Sequence, residues 1–418
     1  MDYRDRNSNA PLVSGLTIIL VAISAFILGF ALSRTGIFST WFGTTISDVL
    51  VNRGNGGIAD FDHFWEVWDT IQEDYIDESL SNDALMQNAI KGMAYGLEDV
   101  GTVYFTPDEY RQYQSDSSGD FEGVGVYLES VNGNITVSSV IKGAPAEGAG
   151  LVSGDIITAV DSESLAGKTT DEAAALIKGP GGTDVILTVF STGQTASRDV
   201  TITRAAVHED AITWEEKELG IVYINIARFT EATPEDWNAE WDRVISEVSA
   251  KSPKVILIDL RFNGGGYLVS GVHAAEEFLP VGAFVTAQES PRINQKETYS
   301  VERQGRFVSA DTDVIILVGR YTASASEIFV GALQKNDRAT VIGEKTFGKG
   351  TAQSVYEFTD GSALKLTVSH WLMPDQTVLS KDNPITPDIE VPYNEEHTAS
   401  HIDDIMNRAL EEASRLLD

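Results

Sequence analysis

Two short segments hold the residues best suited to covalent chemistry. Gly319-Arg-Tyr-Thr-Ala-Ser324-Ala-Ser-Glu-Ile-Phe329 sets a serine among small residues. Gly343-Glu-Lys-Thr-Phe-Gly-Lys349-Gly-Thr-Ala-Gln353 sets a lysine between two glycines. Ser324 follows an apolar run at 314–318 and opens a stretch with helical spacing, so it stands where a buried strand gives way to a helix. A helix N-terminus leaves backbone N–H groups without intrahelical acceptors, and its dipole favours an anion. A serine there can attack a carbonyl while the N–H of the next residue, Ala325, holds the developing oxyanion. The serine needs a base. A lysine in a tight apolar turn loses hydration, which disfavours the ammonium and supplies a neutral amine. Gly348 and Gly350 give Lys349 such a turn; Lys345 is the rival, on a flank poorer in glycine.

Other chemistries find less support. The six histidines (His63, His208, His273, His370, His397 and His401) avoid Gly-rich turns and form no H-E-x-x-H pattern, so a zinc peptidase has no motif. Distant residues can meet in a fold, and a Ser-His-Asp arrangement therefore stays open. With no cysteine, a thiolate nucleophile, a disulfide or a Cys-zinc site is impossible. Ser139-Val-Ile-Lys142 fits S-x-x-K but falls on a predicted strand without S-D-N or K-T-G companions. Gly343 to Lys349 approaches a P-loop, yet Gly350 stands where Ser or Thr must bind magnesium. The formal charge of -33 repels phosphate backbones and argues against nucleic acid. No metal or cofactor is expected.

The elements that position these residues follow from periodicity. Residues 11–32 carry no charge and are long enough for a bilayer, which needs roughly 20 apolar residues. A cleaved signal peptide is the alternative; its apolar region is usually about 7–15 residues. Arg4 and Arg6 before the run place 1–10 in the cytoplasm and the body outside it. A linker covers 33–57. At 58–118 a helical domain is predicted, with Phe64, Trp65, Trp68, Ile71 and Tyr75 forming a Trp-rich core and Leu85, Ile90, Met93 and Leu97 on a second helix. Residues 119–205 switch to short β-rich runs, at 124–128, 135–141, 155–160, 185–190 and 199–203, with a helix at 170–178. Residues 206–395 alternate strands and helices, the order of an α/β core with a largely parallel centre. The tail, 396–418, reads as an amphipathic helix for docking on the body or for a subunit interface, so a homo-oligomer is one reading.

Two resemblances sharpen this. Gly123-Val-Gly-Val126 before one strand and Leu151-x-x-Gly154-Asp155 before another resemble a PDZ domain. The resemblance implies that a peptide C-terminus docks as an added strand, its carboxylate held by backbone N–H groups at Gly123, Val124, Gly125 and Val126. Nearly everything after the linker is similar to the C-terminal processing peptidases. Their serine lies in S/T-A-S-A-S-E, matched at Ser324, their lysine in F-G-K-G, matched at Lys349, and their glutamine four residues later at Gln353. Their D-x-R-x-N-x-G-G turn matches Asp259 to Gly266, implying a second oxyanion donor at Gly266 or Gly265. Asp99-Val-Gly101 departs from the usual Asp-Pro, and Pro384-Ile-Thr-Pro-Asp388 from Gly-Ile-x-Pro-Asp. The fold implied is a multidomain α+β chain: N-terminal membrane anchor, helical segment, PDZ-like β-domain and an α/β crotonase-like protease core. The function implied is a serine endopeptidase with a Ser-Lys dyad, Gln353 orienting the lysine, that cleaves envelope or secreted proteins near their C-termini. A non-catalytic PDZ scaffold of the envelope is the alternative.

Overall fold

The computed structural model describes residues 61–417, apart from 78, 80, 100, 192, 193, 195, 218, 219, 309, 310 and 395–401. The expected membrane segment at 11–32 and the linker at 33–57 lie outside the described residues, as do His397 and His401. Among the described residues no helix is long and apolar enough to cross a membrane.

The chain divides into two compact units, 1–81 and 82–418. The described part of the first is helix α1 (Asp62–Asp74) and the residues that follow it. Its predicted face is present, with Phe64 and Trp68 rings 6.2 Å apart, but no residue of α1 is buried and Trp65 is 41% exposed. Among the described residues the expected Trp-rich core is therefore not found: periodicity identifies an apolar face but not what covers it.

The second unit opens with α2 (Asn82–Tyr95), where only Ala94 is buried, and Met93 and Leu97 beyond it face solvent. Then come β1 (Val103–Phe105) and α3 (Pro107–Ser117). Strand β2 (Asp120–Gly123) leads into β3 (Val126–Val131), β4 (Asn134–Val140), the short helix α4 (Pro145–Gly148), β5 (Ile156–Val160), β6 (Glu163–Ser164), α5 (Thr170–Ile177), β7 (Asp184–Phe190) and β8 (Arg198–Thr203). These form a sheet of order β3-β4-β5-β7-β8, with β6 beside β5, around a core that includes Val137, Ile157, Leu187 and Ile177. The strand expected at 124–128 is broken: Gly125 adopts φ +80°, and the carbonyls of Val124 and Gly125 turn to the N–H groups of Ala146 and Ile141. Strand β9 (Ala205–His208) returns antiparallel to β2, so the chain enters and leaves this β-domain through a two-stranded ribbon.

Beyond the ribbon run β10 (Ile212–Glu216), β11 (Ile221–Ile226), α6 (Pro234–Ala250), β12 (Val255–Asp259), α7 (Leu268–Glu276), β13 (Phe284–Ser290), β14 (Gln295–Ser300), β15 (Asp313–Val318), α8 (Ala325–Lys335), β16 (Thr340–Gly343), β17 (Thr351–Glu357), β18 (Ala363–Leu372), β19 (Ile389–Glu390) and α9 (Asp404–Leu417). The main sheet has the order β10-β11-β12-β15-β16-β19, parallel from β11 onward. Its central strands are apolar on both faces, as a sheet covered on both sides requires. Ile256, Ile258 and Ile316 pack with Trp237, Trp241 and Phe329 of α6 and α8. Val255, Leu257 and Ile315 on the other face meet Ala409 and Ala413, so the tail helix docks on the body. A second sheet, β1-β18-β13-β14 with β17 beside β18, flanks the core.

Candidate active site

The parallel strands β12 and β15 end side by side, and both site loops start from those ends. After β12 the chain turns through Arg261–Gly266, where Asn263 anchors the turn: its Nδ2 donates to Ile226 O, and its Oδ1 accepts the Gly265 N–H at 2.8 Å. Gly265 and Gly266 have φ of +104° and +146°. A Cβ at Gly265 would lie 2.7 Å from Ser324 Cβ and 3.0 Å from Ala325 N; one at Gly266 would lie 2.4 Å from Phe229. Only glycine lets this turn press against the serine. The two proposed oxyanion donors now separate. The Gly265 N–H is taken by Asn263, while Gly266 N makes no hydrogen bond among the described residues. Ala325 is the first residue of α8, a position whose N–H the helix leaves without an acceptor.

After β15 the chain reaches Ser324 through Tyr321 and Thr322. Thr322 fastens this turn by donating to Leu260 O and accepting from Gly319 N. Ser324 has φ 58° and ψ -121°, a conformation that a residue with a Cβ rarely adopts. What holds it there is Glu327, fully buried one turn into α8. Its Oε2 accepts the N–H groups of Ser324 at 2.9 Å and Lys349 at 2.8 Å. Its Oε1 accepts Thr346 Oγ1 at 2.5 Å and Gly348 N at 2.7 Å. Burial pushes the Glu327 carboxyl up, and the four donors pull against that. A single side chain thus ties the serine turn to the lysine loop. Sequence reasoning missed it, although Ser324-x-x-Glu327 has the spacing of a capping box.

Lys349 is half-buried, and Lys345 is exposed. Burial lowers the Lys349 pKa below the ordinary lysine range, helped by the nearby Lys365 ammonium and opposed by Glu327 and Asp99. Among the described residues no hydrogen bond joins Ser324 Oγ to Lys349 Nζ; such contacts commonly tighten only with substrate in place. Gln353 donates from Nε2 to Thr351 Oγ1 (3.1 Å) and Thr367 Oγ1 (3.0 Å). In the β-domain, Gly123, Val124 and Gly125 are buried and Val126 is half-buried at the start of β3. Strand β3 lies at the sheet edge with α5 packed against it. Leu176 of α5 is half-buried, whereas Ile177 belongs to the domain core. Among the described residues no group of His, Asp and Glu is arranged to hold a metal.

A strained serine at a strand-to-helix turn, with free N–H groups beside it and a depressed lysine on a clamped loop, defines a serine peptidase core, and the edge-stranded β-domain is a PDZ domain. Residues 220–391 match peptidase family S41, and residues 136–189 match the PDZ domain. The chain is 34% identical to a probable CtpA-like serine protease of Staphylococcus epidermidis, over 83% of this chain and 70% of that one. It is also 34% identical to a Staphylococcus aureus protein of the same description, over 79% and 66%. The fold is similar to that of the photosystem II D1 C-terminal processing protease (TM-score 0.56, 24% identity, 82% of this chain and 92% of that one). It also resembles an S41 protease structure from Bacteroides fragilis (TM-score 0.56, 18% identity, 88% and 100%). The chain belongs to peptidase family S41 and is a serine peptidase.

Strain and clamp each lead to a test. Glycine adopts the Ser324 backbone without penalty, so Ser324→Gly should be more stable than Ser324→Ala by roughly 1–3 kcal/mol in urea denaturation. Equal stability would mean that no strain resides there. Glu327→Ala strands four donors, two buried and two half-buried; at about 1–3 kcal/mol for each buried unsatisfied group, it should lose at least ~2 kcal/mol of stability. Displacing serine and lysine by ~1 Å should lower kcat roughly 100-fold or more. Wild-type melting and turnover in that variant would rule out the clamp.

Proposed function

We propose that the enzyme is a C-terminal processing endopeptidase with a Ser324–Lys349 dyad. The observation that carries this reading is the Glu327 carboxylate, which accepts the backbone N–H groups of both residues and so fixes their loops to each other. Neutral Lys349 takes the proton from Ser324 Oγ as the oxygen attacks the scissile carbonyl carbon. The carbonyl oxygen becomes an oxyanion facing the N–H groups of Ala325 and Gly266. On collapse, the C–N bond breaks and the Lys349 ammonium returns its proton to the leaving amine. Water then attacks the acyl-serine with Lys349 again accepting the proton. The ester C–O bond breaks, the acyl fragment leaves with a C-terminal carboxyl, and Lys349 returns the proton to Ser324 Oγ. Gln353 acts on the lysine loop through Thr351. Substrates are envelope or secreted proteins whose free C-termini add to the β3 edge of the PDZ domain, their carboxylates held by N–H groups at 123–126. Support for C-terminal processing comes from the similarity to a protease so described. Residues 11–32 serve as a single membrane anchor with the catalytic body outside the cytoplasm, supported by their uncharged length.

The dyad is tested by substitution. Ser324→Ala and Lys349→Ala should each lower kcat/KM on an unstructured protein roughly 10⁴-fold or more with no loss of fold, and Lys345→Ala by less than ~10-fold. Lys349→Arg should be inactive because guanidinium stays protonated. For wild type, only the neutral amine is productive, so the rate should rise with pH through a midpoint below the ordinary lysine range, the direction that burial imposes. An active Lys349→Arg enzyme would remove lysine from the mechanism.

Carboxylate capture is tested separately on the full chain carrying Ser324→Ala, with one apolar-ended peptide in free-acid and amidated forms. Amidation should weaken binding by roughly 1–3 kcal/mol, the cost of poorly satisfied donors. Equal affinity would leave the peptidase without this mode of recruitment.

A further inference from the structure

The turn between α2 and β1 reaches the same site from a distant part of the chain. Strand β1 pairs with β18 in the register Val103↔Lys365, Tyr104↔Leu364 and Phe105↔Ala363. Just before it, buried Thr102 donates from Oγ1 to Asp99 Oδ2 (2.6 Å) and accepts the Thr367 N–H (3.1 Å). Asp99 Oδ1 accepts the Gly101 N–H at 3.0 Å. Thr367 Oγ1 accepts from Gln353, four residues beyond Lys349. The approach is close enough that a Cβ at Gly101 would lie 2.7 Å from Gln353 Nε2. The Asp99 turn, β18 and the start of β17 therefore meet around the lysine loop.

Two charges come with that meeting. Asp99 stands on the turn, and Lys365 shares a face of β18 with Thr367, since alternate strand residues point the same way. Lys365 Nζ lies 5.2 Å from the centre of the Tyr113 ring. Among the described residues neither Lys349 nor Lys365 forms an ion pair. Building on the Ser324–Lys349 reading, we infer that Asp99 and Lys365 are positioning residues that set, with opposite sign, the pH at which Lys349 becomes a base.

The charged groups acting on Lys349 are Lys365 from β18, Glu327 from α8 and Asp99 from the turn. Glu327 is committed to four donors. Asp99 and Lys365 are therefore the charges left to adjust. Burial alone would raise the Asp99 carboxyl, but hydrogen bonds from Thr102, Thr367 and Gly101, with the attraction of Lys349, hold it below the ordinary range. It is ionised throughout the working range of a lysine base. A negative charge nearby favours the ammonium and raises the Lys349 pKa; the Lys365 charge disfavours it and lowers the pKa.

The experiment is the pH dependence of kcat/KM for the full-length enzyme on an unstructured protein, in wild type, Asp99→Asn, Lys365→Met and the double variant. Asp99→Asn should move the acidic limb to lower pH and Lys365→Met to higher pH, each by roughly half a unit or more. The double variant should fall between them. A purely structural role would lower the plateau and leave the midpoint in place, which would overturn the inference for that residue. Lys365 is half-exposed, so Lys365→Met carries the test even if Asp99→Asn fails to fold. Lys349→Ala is run beside them. If it stays active, the dyad itself falls; if it is inactive while both midpoints stay fixed, the dyad stands and the tuning pair does not.

Discussion

One buried carboxylate organises this enzyme. Glu327 accepts from Ser324, Thr346, Gly348 and Lys349, joining two loops that leave different strands of the sheet. Its position in α8 lets it do so. Leu317 and Ile342 are register partners on β15 and β16, so the serine turn and the lysine loop leave neighbouring strand ends. Burying an acid is unfavourable unless its lone pairs are occupied. Here four donors occupy them, and two are the backbone N–H groups of the residues proposed to react. The strain at Ser324 is tolerable because the same carboxylate over-determines its conformation.

The parts that periodicity governs were legible in the chain. Strand β15 and helix α8 begin within a residue of where the apolar run at 314–318 and the helical spacing from Ser324 put them, because central parallel strands must be apolar on both faces. The PDZ strands follow their alternation equally well, except where Gly125 interrupts the run at 124–128. Patterning was silent on partners. The aromatic face of α1 reads as a core because a helix sequence shows amphipathicity and not what lies opposite. In the site, Ser324 and Lys349 were singled out as candidates by their small-residue and glycine flanks. Choosing between Gly265 and Gly266 required knowing that Asn263 uses the Gly265 N–H, a side-chain contact that no spacing encodes. Asp99 was noted only as a departure in a loop. Its relation to Lys349 arises from the pairing of β1 with β18, a contact spanning more than half of the chain.

The same long-range logic connects the PDZ sheet to the Ser324 turn. Glu129 lies on β3, the free edge of the PDZ sheet, and is 6% exposed. Its Oε2 accepts the Tyr321 hydroxyl at 3.0 Å, and Tyr321 stands three residues before Ser324. Burial raises the carboxyl of Glu129 and, together with the neighbouring acid, raises the phenol of Tyr321. Tyr321 also stacks on Phe262, in the turn that carries Gly265 and Gly266. Separating β3 from this loop would strand a buried acceptor, at a cost of about 1–3 kcal/mol. The β3 edge, the Ser324 turn and the turn at 261–266 are thus consecutive contacts, and a shift of the PDZ sheet must either carry Tyr321 with it or break that bond.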